Sequence, residues 1–576
     1  MAAQQMKSQA EALAALGRKA ISRFAFLVLF AVACFSCLHV HQRSYGNELR
    51  YSRIAEGNIS HYVAEMWRDG WPSFAGLVRD DAHLQGRVRP AHWLFQNVPF
   101  AVTILRNGDF FRGDWRHPAR KINGDLQTHT VCLLVTLALA LAGTAYAAYC
   151  LLGSFWVALG LCLFLPLSHS VGENLLVNFS DSQEIPQLFW IGLYAALIAG
   201  TRSIHRRVGL GREILATLCA ILAYTTKETT VVIAPIFVCL FGWELWKCRR
   251  RPGSSNRGVY VRQVLVHCAM LVAILVAAYR FRHGAYVADN YTIHKLNWLA
   301  QLRFGFETLT AGIDWGRPGL ASLFLCLALL AFPTFRRRIA TEWKFRRWPA
   351  IVSIWGLCAG FCVVILPWKP TLAKYYLPVA FYGTLGTLGL AWLMSRTFRR
   401  AGFGWLGTAW ALGVTVFMLA QVNTARGKIR YYYREQYASR AAVPVIARDI
   451  AIEARRKTPP PVAVHIVAEG SFPEGALPFQ RQVNLLRGIN VYQNGEPVRK
   501  VEAVERNYFR RYSRSSGASI ALTETPPSNM DADIVYAVQK PDSPSGIDAS
   551  ALKGFVRSRE WDIPKRVRIV KYTRIP

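Results

Sequence analysis

Apolar runs of 15 to 20 residues recur along the first 422 positions, separated by polar stretches, and positions 423–576 lack them. A membrane-crossing helix needs roughly 20 largely apolar residues. The runs at 22–40, 130–150, 153–167, 187–201, 264–280, 319–335, 350–366, 377–394 and 405–422 read as spans. The stretch 213–246 is too long for one crossing and is interrupted by Lys227 and Glu228, so it reads as two short spans meeting at a polar turn. The pattern predicts a polytopic α-helical membrane protein with about 11 transmembrane helices.

Lysines and arginines cluster in the short connections. Arg202, Arg206, Arg207 and Arg212 fall in one, Lys247, Arg249, Arg250 and Arg251 in the next, then Arg336–Arg338 and Arg396, Arg399 and Arg400. Short basic loops mark the cytoplasmic side. With residues 1–21 as a cytoplasmic segment carrying Lys7, Arg18 and Lys19, eleven crossings put 423–576 outside. The loop 41–129 becomes a large first external loop, whose aromatic, amphipathic part 90–105 suits the membrane interface. No small-x-small cleavage site follows the first run, which therefore reads as a retained anchor.

The C-terminal portion changes period. A basic helix-like stretch at 430–456 precedes Pro459–Pro461, and strand-like runs follow at 462–468, 533–538 and 567–572, with a helix expected at 476–487. This predicts a soluble α/β or α+β domain over 423–576. It carries no Gly-rich phosphate loop.

The mean hydropathy is +0.18 and the formal net charge +34. The charge sits largely in connections between apolar runs, so it points to anionic lipid headgroups and not to nucleic acid. The 12 cysteines all fall in apolar runs or on the expected cytoplasmic side, so neither disulfides nor a structural zinc site is expected.

Candidate chemistry gathers in the expected external loops. Asp80 and Asp81 stand side by side in 79–93, followed by His83, Arg87, Arg89 and Pro90. The loop 168–186 holds Glu173, Asp181 and Glu184; Lys227 and Glu228 break the 213–246 stretch; Lys369 and Lys374 lie before the tenth span. Carboxylates beside cations at a bilayer surface suit sugar transfer from a lipid phosphate. A carboxylate takes the acceptor hydroxyl proton while cations stabilise the departing phosphate. Each element also has a plainer reading. Loop acids are ordinarily solvated, Lys227–Glu228 can be the polar turn of a helix hairpin, and Lys369 and Lys374 can anchor to headgroups. No metal site stands out, although Asp80, Asp81 and Glu173 are carboxylates of the kind that hold a divalent cation.

Together these pieces resemble the GT-C superfamily of polyprenyl- or dolichyl-phosphate-sugar-dependent glycosyltransferases, most closely the branch of transmembrane tetratricopeptide-repeat O-mannosyltransferases and their bacterial relatives. The likeness covers about residues 20–240. It rests on Asp80–Asp81 followed by Arg89–Pro90, on HSVGENLLVNFSDSQE with His169, Glu173 and Glu184, and on Lys227–Glu228 running to Pro235. Ser170 stands where the pattern has proline, and its arginine is missing. Residues 423–576 do not resemble tetratricopeptide repeats. The resemblance implies a general base in the first loop, Asp81 ahead of Asp80. Arg89, Lys227 and Lys374 are then donor-phosphate contacts, and His83, Glu173, Glu184 and Glu228 orient substrate.

The expected activity is inverting transfer of a monosaccharide from a polyprenyl-phosphate donor to an extracytoplasmic glycan, lipid or protein, at a bacterial inner membrane and without a cofactor. Rivals are a polysaccharide polymerase or ligase, a lipid-linked glycan transporter or flippase, and a non-catalytic scaffold. A polymerase should concentrate arginines in a large late loop, and 281–318 has only Arg282, Arg303 and Arg317. A transporter should show mid-span charges and paired repeat halves.

Overall fold

A computed structural model describes residues 24–39, parts of 74–102, 118–168, 170–171, 174, 183–199, 209–249, 256–280, parts of 299–307, 316–337, 347–365, 373–431, 442–456 and most strands beyond. The chain is a bundle of apolar helices followed by a C-terminal sheet. The helices are α1 (Phe24–His39), α2 (Pro118–Leu152), α3 (Phe155–Phe164), α4 (Glu184–Ala199), α5 (Leu210–Thr226) and α6 (Ile233–Arg249). They continue with α7 (Arg257–Arg280), α8 (Gly316–Leu330), α9 (Arg347–Ile365), α10 (Leu377–Arg400) and α11 (Gly404–Tyr431). A helix thus stands wherever the hydrophobic pattern placed a span. Among the described residues, Val131–Leu152, Glu228–Arg249, Arg257–Arg280 and Leu377–Arg400 are long and apolar enough to cross a membrane by length and composition.

Exposed side chains of α7 include Leu265, Val272, Leu275, Val276 and Tyr279, while α11 exposes Leu412, Val416 and Leu419. A belt of exposed apolar side chains is what a hydrocarbon environment tolerates and water does not. The chain is accordingly a multi-pass membrane protein. At its centre, α10 is buried along most of its length and packs against α3, α8, α9 and α11.

Local sequence sets the helix ends. Gly153, at φ 70°, closes α2, with its N–H on the Tyr149 carbonyl at 2.8 Å. This is the left-handed stop that glycine adopts at least cost. Ser154 caps α3 by accepting the Val157 N–H. Three boundaries differ most from the sequence expectation. α2 begins at Pro118, inside the loop expected to run to 129, because proline suits a first turn and nothing downstream breaks the helix. α7 begins at Arg257, before the apolar run, since its first turns bury Tyr260 and Gln263 against the bundle. α11 continues past 422 to Tyr431, through an Ala-, Arg- and Lys-containing stretch with good helix propensity.

The C-terminal part holds α12 (Val443–Arg456) and β1 (Val462–Ala468), β2 (Asn490–Gln493), β3 (Glu496–Pro497), β4 (Gly517–Thr523), β5 (Ile534–Gln539), β6 (Phe555–Ile563) and β7 (Val567–Arg574). They form one seven-stranded sheet in the order β3-β2-β4-β1-β5-β7-β6. Strands β2, β4, β1 and β5 are parallel, and β7, β6 and β3 add antiparallel edges. α12 packs on β1 and β4. Under it, Asp449 accepts from Tyr536 Oη at 2.7 Å and from Lys571 Nζ at 2.6 Å, and Lys571 also reaches Glu453 at 2.9 Å. Burial, then the Asp449 carboxylate, holds the Tyr536 phenol protonated well above its ordinary range, which suits its role as donor. The expected helix at 476–487 lies outside the described residues.

Candidate functional site

The break between α5 and α6 places a buried ion pair in the bundle core. α5 ends at Thr226, Lys227 is extended at φ −153° and ψ 136°, and a 3-10 turn, Glu228–Val232, leads into α6. Lys227 is only 4% exposed and Glu184, the first residue of α4, 1%. The two form an ion pair. Burying a lysine this deeply is costly, and an opposite charge in contact offsets part of that cost. The Lys227 ammonium also lies 4.9 Å from the centre of the Tyr375 ring, a cation–π contact. Tyr375 belongs to a 3-10 turn, Ala373–Tyr376, that enters α10.

Beside this pair, Gln187 donates through Nε2 to Thr230 Oγ1 at 2.7 Å and Thr229 Oγ1 at 3.1 Å. Thr230 passes its own hydroxyl hydrogen to the Ala223 carbonyl at 2.9 Å. The turn that carries Lys227 is therefore tied to α4 by an ion pair and an amide, and to the end of α5 by a hydroxyl.

A second network lies further along the bundle. His267 of α7 is fully buried, with Tyr194 Oη 2.8 Å from Nε2 and Tyr224 Oη 2.8 Å from Nδ1. Tyr194 Oη also lies 3.1 Å from Gln263 Oε1, and Gln263 Nε2 donates to Thr217 Oγ1 at 3.0 Å. An amide oxygen only accepts, so Tyr194 donates to it and takes its own bond from His267 Nε2–H. Nδ1 then accepts from Tyr224. Both ring nitrogens are satisfied. Phe237 stacks on the ring at 5.2 Å.

Phe237 and Phe241 also wall a small, partly open apolar cavity of about 90 Å³ among α2, α4, α6, α9 and α10, with Ile191, Leu357 and Tyr382 among its lining. On α4, Ile191 and Ile198 lie 7 to 14 residues beyond Glu184, roughly 10–21 Å along the axis.

Of the residues singled out in the sequence, Glu184 and Lys227 come together, and Glu228 follows in the same turn, half-buried. Lys374 belongs to the turn whose Tyr375 meets Lys227, although its own side chain lies outside the described residues. Arg89 is 3% exposed and leads into a short helix, 90–95, where Ala91, His92, Trp93 and Phe95 are buried and Phe95 joins the bundle core. His83 is exposed. Asp80, Asp81 and Glu173 lie outside the described residues. No group of three or more His, Cys, Asp or Glu gathers in metal-binding fashion among the described residues. All twelve cysteines are free thiols.

Sequence reading missed Gln187, Thr229, Thr230, Tyr375 and the His267 network. The signal for Gln187 was present: a glutamine three residues after Glu184, on the same face of an otherwise apolar helix. His267 and Gln263 likewise stand four apart on one face of apolar α7.

No family model matches the chain, and no curated protein matches it. Among solved structures it is similar to the crystal structure of ArnT from Cupriavidus metallidurans bound to undecaprenyl phosphate, at 14% identity over 95% of this chain and 97% of that one, with a TM-score of 0.41. A likeness at that score carries no weight beside the chain's own geometry.

Proposed function

We propose that this protein is an inner-membrane glycosyltransferase that moves a monosaccharide from a polyprenyl-phosphate donor to an acceptor outside the cytoplasm, a glycan, lipid or protein. The observation that carries the reading is Lys227: a cation held at a helix break inside the membrane bundle, balanced by Glu184 and flanked by Tyr375. Charges inside a membrane bundle are costly and tend to mark a substrate path. A helix break supplies a cation and free backbone groups together.

In this reading Lys227, with Arg89 and Lys374, neutralises the donor phosphate as the sugar leaves. Glu184 holds Lys227 aimed in the empty state, and Glu228 orients substrate with His83 and Glu173. Asp81, or failing it Asp80, takes the proton from the acceptor hydroxyl as that oxygen attacks the anomeric carbon. The carbon–oxygen bond to phosphate breaks on the opposite face, so the configuration inverts. The apolar cavity takes a short part of the polyprenyl tail, the rest of which lies in the bilayer. The sheet beyond α11 is assigned to the periplasm, where it meets the acceptor.

A transporter finds two observations in its favour, the buried Lys227–Glu184 pair, which the reading above uses for the donor phosphate, and the buried His267. The His267 ring nitrogens bond Tyr194 and Tyr224, a tie among α4, α5 and α7 that accounts for the buried ring without transport.

The test is sugar transfer by purified protein in nanodiscs, with polyprenyl-phosphate sugars as donors. Lys227→Met and Asp81→Asn are each expected to lower transfer by two orders of magnitude or more, within the ~10²–10⁴-fold range of a lost general base or charge-stabilising group. Wild-type rates in both variants would falsify the assignment.

A further inference from the structure

Gln187 is fully buried on α4, one turn beyond Glu184. The orientation of its amide follows from its neighbours. Thr230 has one hydroxyl hydrogen and gives it to the Ala223 carbonyl, so the Thr230 oxygen can only accept from Gln187. The side-chain nitrogen must therefore face the threonines. Oε1 is left on the other edge of the amide, buried and without a hydrogen-bond partner among the described residues. An orphaned buried acceptor is destabilising, because it gives up its bond to water and gains none in return. Native proteins carry few of them, and each asks for an explanation.

This acceptor sits three residues from Glu184 on the same helical face, bonded to the turn that follows Lys227. We propose that Gln187 is a specificity residue whose Oε1 accepts a hydrogen bond from a neutral hydroxyl of the lipid-borne sugar. The proposal rests on the reading of Lys227 and Glu184 as the donor site.

The chemistry of the group selects the ligand. An amide oxygen repels the anionic oxygens of a phosphate, which Lys227 is there to meet. It attracts a donor, and the donor that a sugar brings is a hydroxyl. The paired bonds to Thr229 and Thr230 lock the amide plane, so the acceptor's direction is set before substrate arrives. A site of this kind discriminates strongly, because a sugar lacking that hydroxyl leaves the oxygen orphaned.

The experiment compares binding of a bare long-chain polyprenyl phosphate with the same lipid carrying glucose, mannose or arabinose, using full-length protein in nanodiscs. Wild type is expected to prefer at least one glycosylated lipid over the bare one by roughly 5- to 100-fold, the range of one buried hydrogen bond. Gln187→Met removes the acceptor and should bring that ratio close to one, whereas Gln187→Glu keeps an acceptor oxygen and should retain much of it. Thr229→Val/Thr230→Val removes the lock but not the acceptor, and should also keep a preference.

If the threonine variant loses the preference as fully as Gln187→Met, the amide only ties the turn and the proposal is overturned. It is likewise overturned if wild type binds bare and glycosylated lipids equally. If the bare lipid does not bind, or binds as well to Lys227→Met, the donor-site reading itself falls. If bare lipid binds in a Lys227-dependent way and Gln187→Met keeps the wild-type ratio, only the role of Gln187 falls. A density map of wild type with the preferred lipid decides the matter without a variant. A sugar hydroxyl within about 3.2 Å of Oε1 supports the proposal, and an ordered water there with the sugar elsewhere sinks it.

Discussion

Removing one partner of the Lys227–Glu184 pair strands the other charge in the bundle. Such a loss costs about 3–5 kcal/mol, whereas removing both charges together is often close to neutral. Lys227→Met is therefore expected to lower thermal stability in detergent markedly, and Lys227→Met/Glu184→Met to recover most of it, with neither variant transferring sugar. A double variant that regained transfer would show that the pair is purely structural. The His267 network makes a finer prediction. Tyr194→Phe orphans two groups, His267 Nε2–H and Gln263 Oε1, whereas Tyr224→Phe orphans only Nδ1. At roughly 0.6–2 kcal/mol per interhelical bond, Tyr194→Phe should cost about twice as much. Equal unfolding midpoints would contradict the assigned bond directions.

Between elements, small residues set the distances. A Cβ added at Gly192 of α4 would lie 2.7 Å from Thr144 Oγ1 and 2.8 Å from the Ala140 carbonyl of α2. The carbonyl cannot step aside without moving the α2 backbone. Gly192→Ala is expected to destabilise the bundle by about 1–3 kcal/mol. Adding Thr144→Ala should give back only part of that, since the carbonyl clash remains. Full rescue would place the strain on the threonine alone. The same scale shows what was readable beforehand. Helix positions followed from hydrophobic runs, and even the break at Lys227 announced itself as charges inside an apolar stretch. The pairing of Lys227 with Glu184 did not, because nothing local links a helix start to a break 43 residues later. Strands β4 and β6 also escaped notice. β4 is rich in small residues, and β6 carries Arg557, Arg559, Glu560 and Asp562 on a sheet edge, where charge serves to discourage edge pairing. Asp80, Asp81 and Glu173 were visible only as residue types, and where they stand relative to Lys227 is left to the transfer assay.

Taken whole, the molecule joins a bundle held by packing in lipid to a sheet held by burial in water, and the two should respond differently to pH. His465 on β1 bonds Thr523 of β4 through Nε2 at 2.9 Å, and burial pulls its pKa below the ordinary 6.5. Above 6.5 the ring is neutral folded or unfolded. As pH falls below that value the unfolded ring takes up a proton that the folded one still refuses, so stability is lost through that window. Hydrogen exchange in the full chain, corrected for intrinsic rates, should show β1 and β4 losing protection on acidification while α10 holds. His465→Asn should flatten the trend, and a β1 indifferent to pH would remove the cause assigned here.

The separation of Glu184 from Lys227 also bears on how the chain is made. α4 leaves the ribosome with a carboxylate, an amide and a tyrosine hydroxyl along one face, and their partners on α5, the turn after it and α7 do not yet exist. At about 5–20 residues per second, the 43 residues to Lys227 take roughly 2–9 s to synthesise. During that interval α4 is a poor candidate for release into lipid. Nascent chains truncated before residue 227 should leave α4 less firmly inserted than chains carrying the whole α5–α6 hairpin. The order of insertion, and not only the final packing, is thus written into which helix holds the acid and which the base.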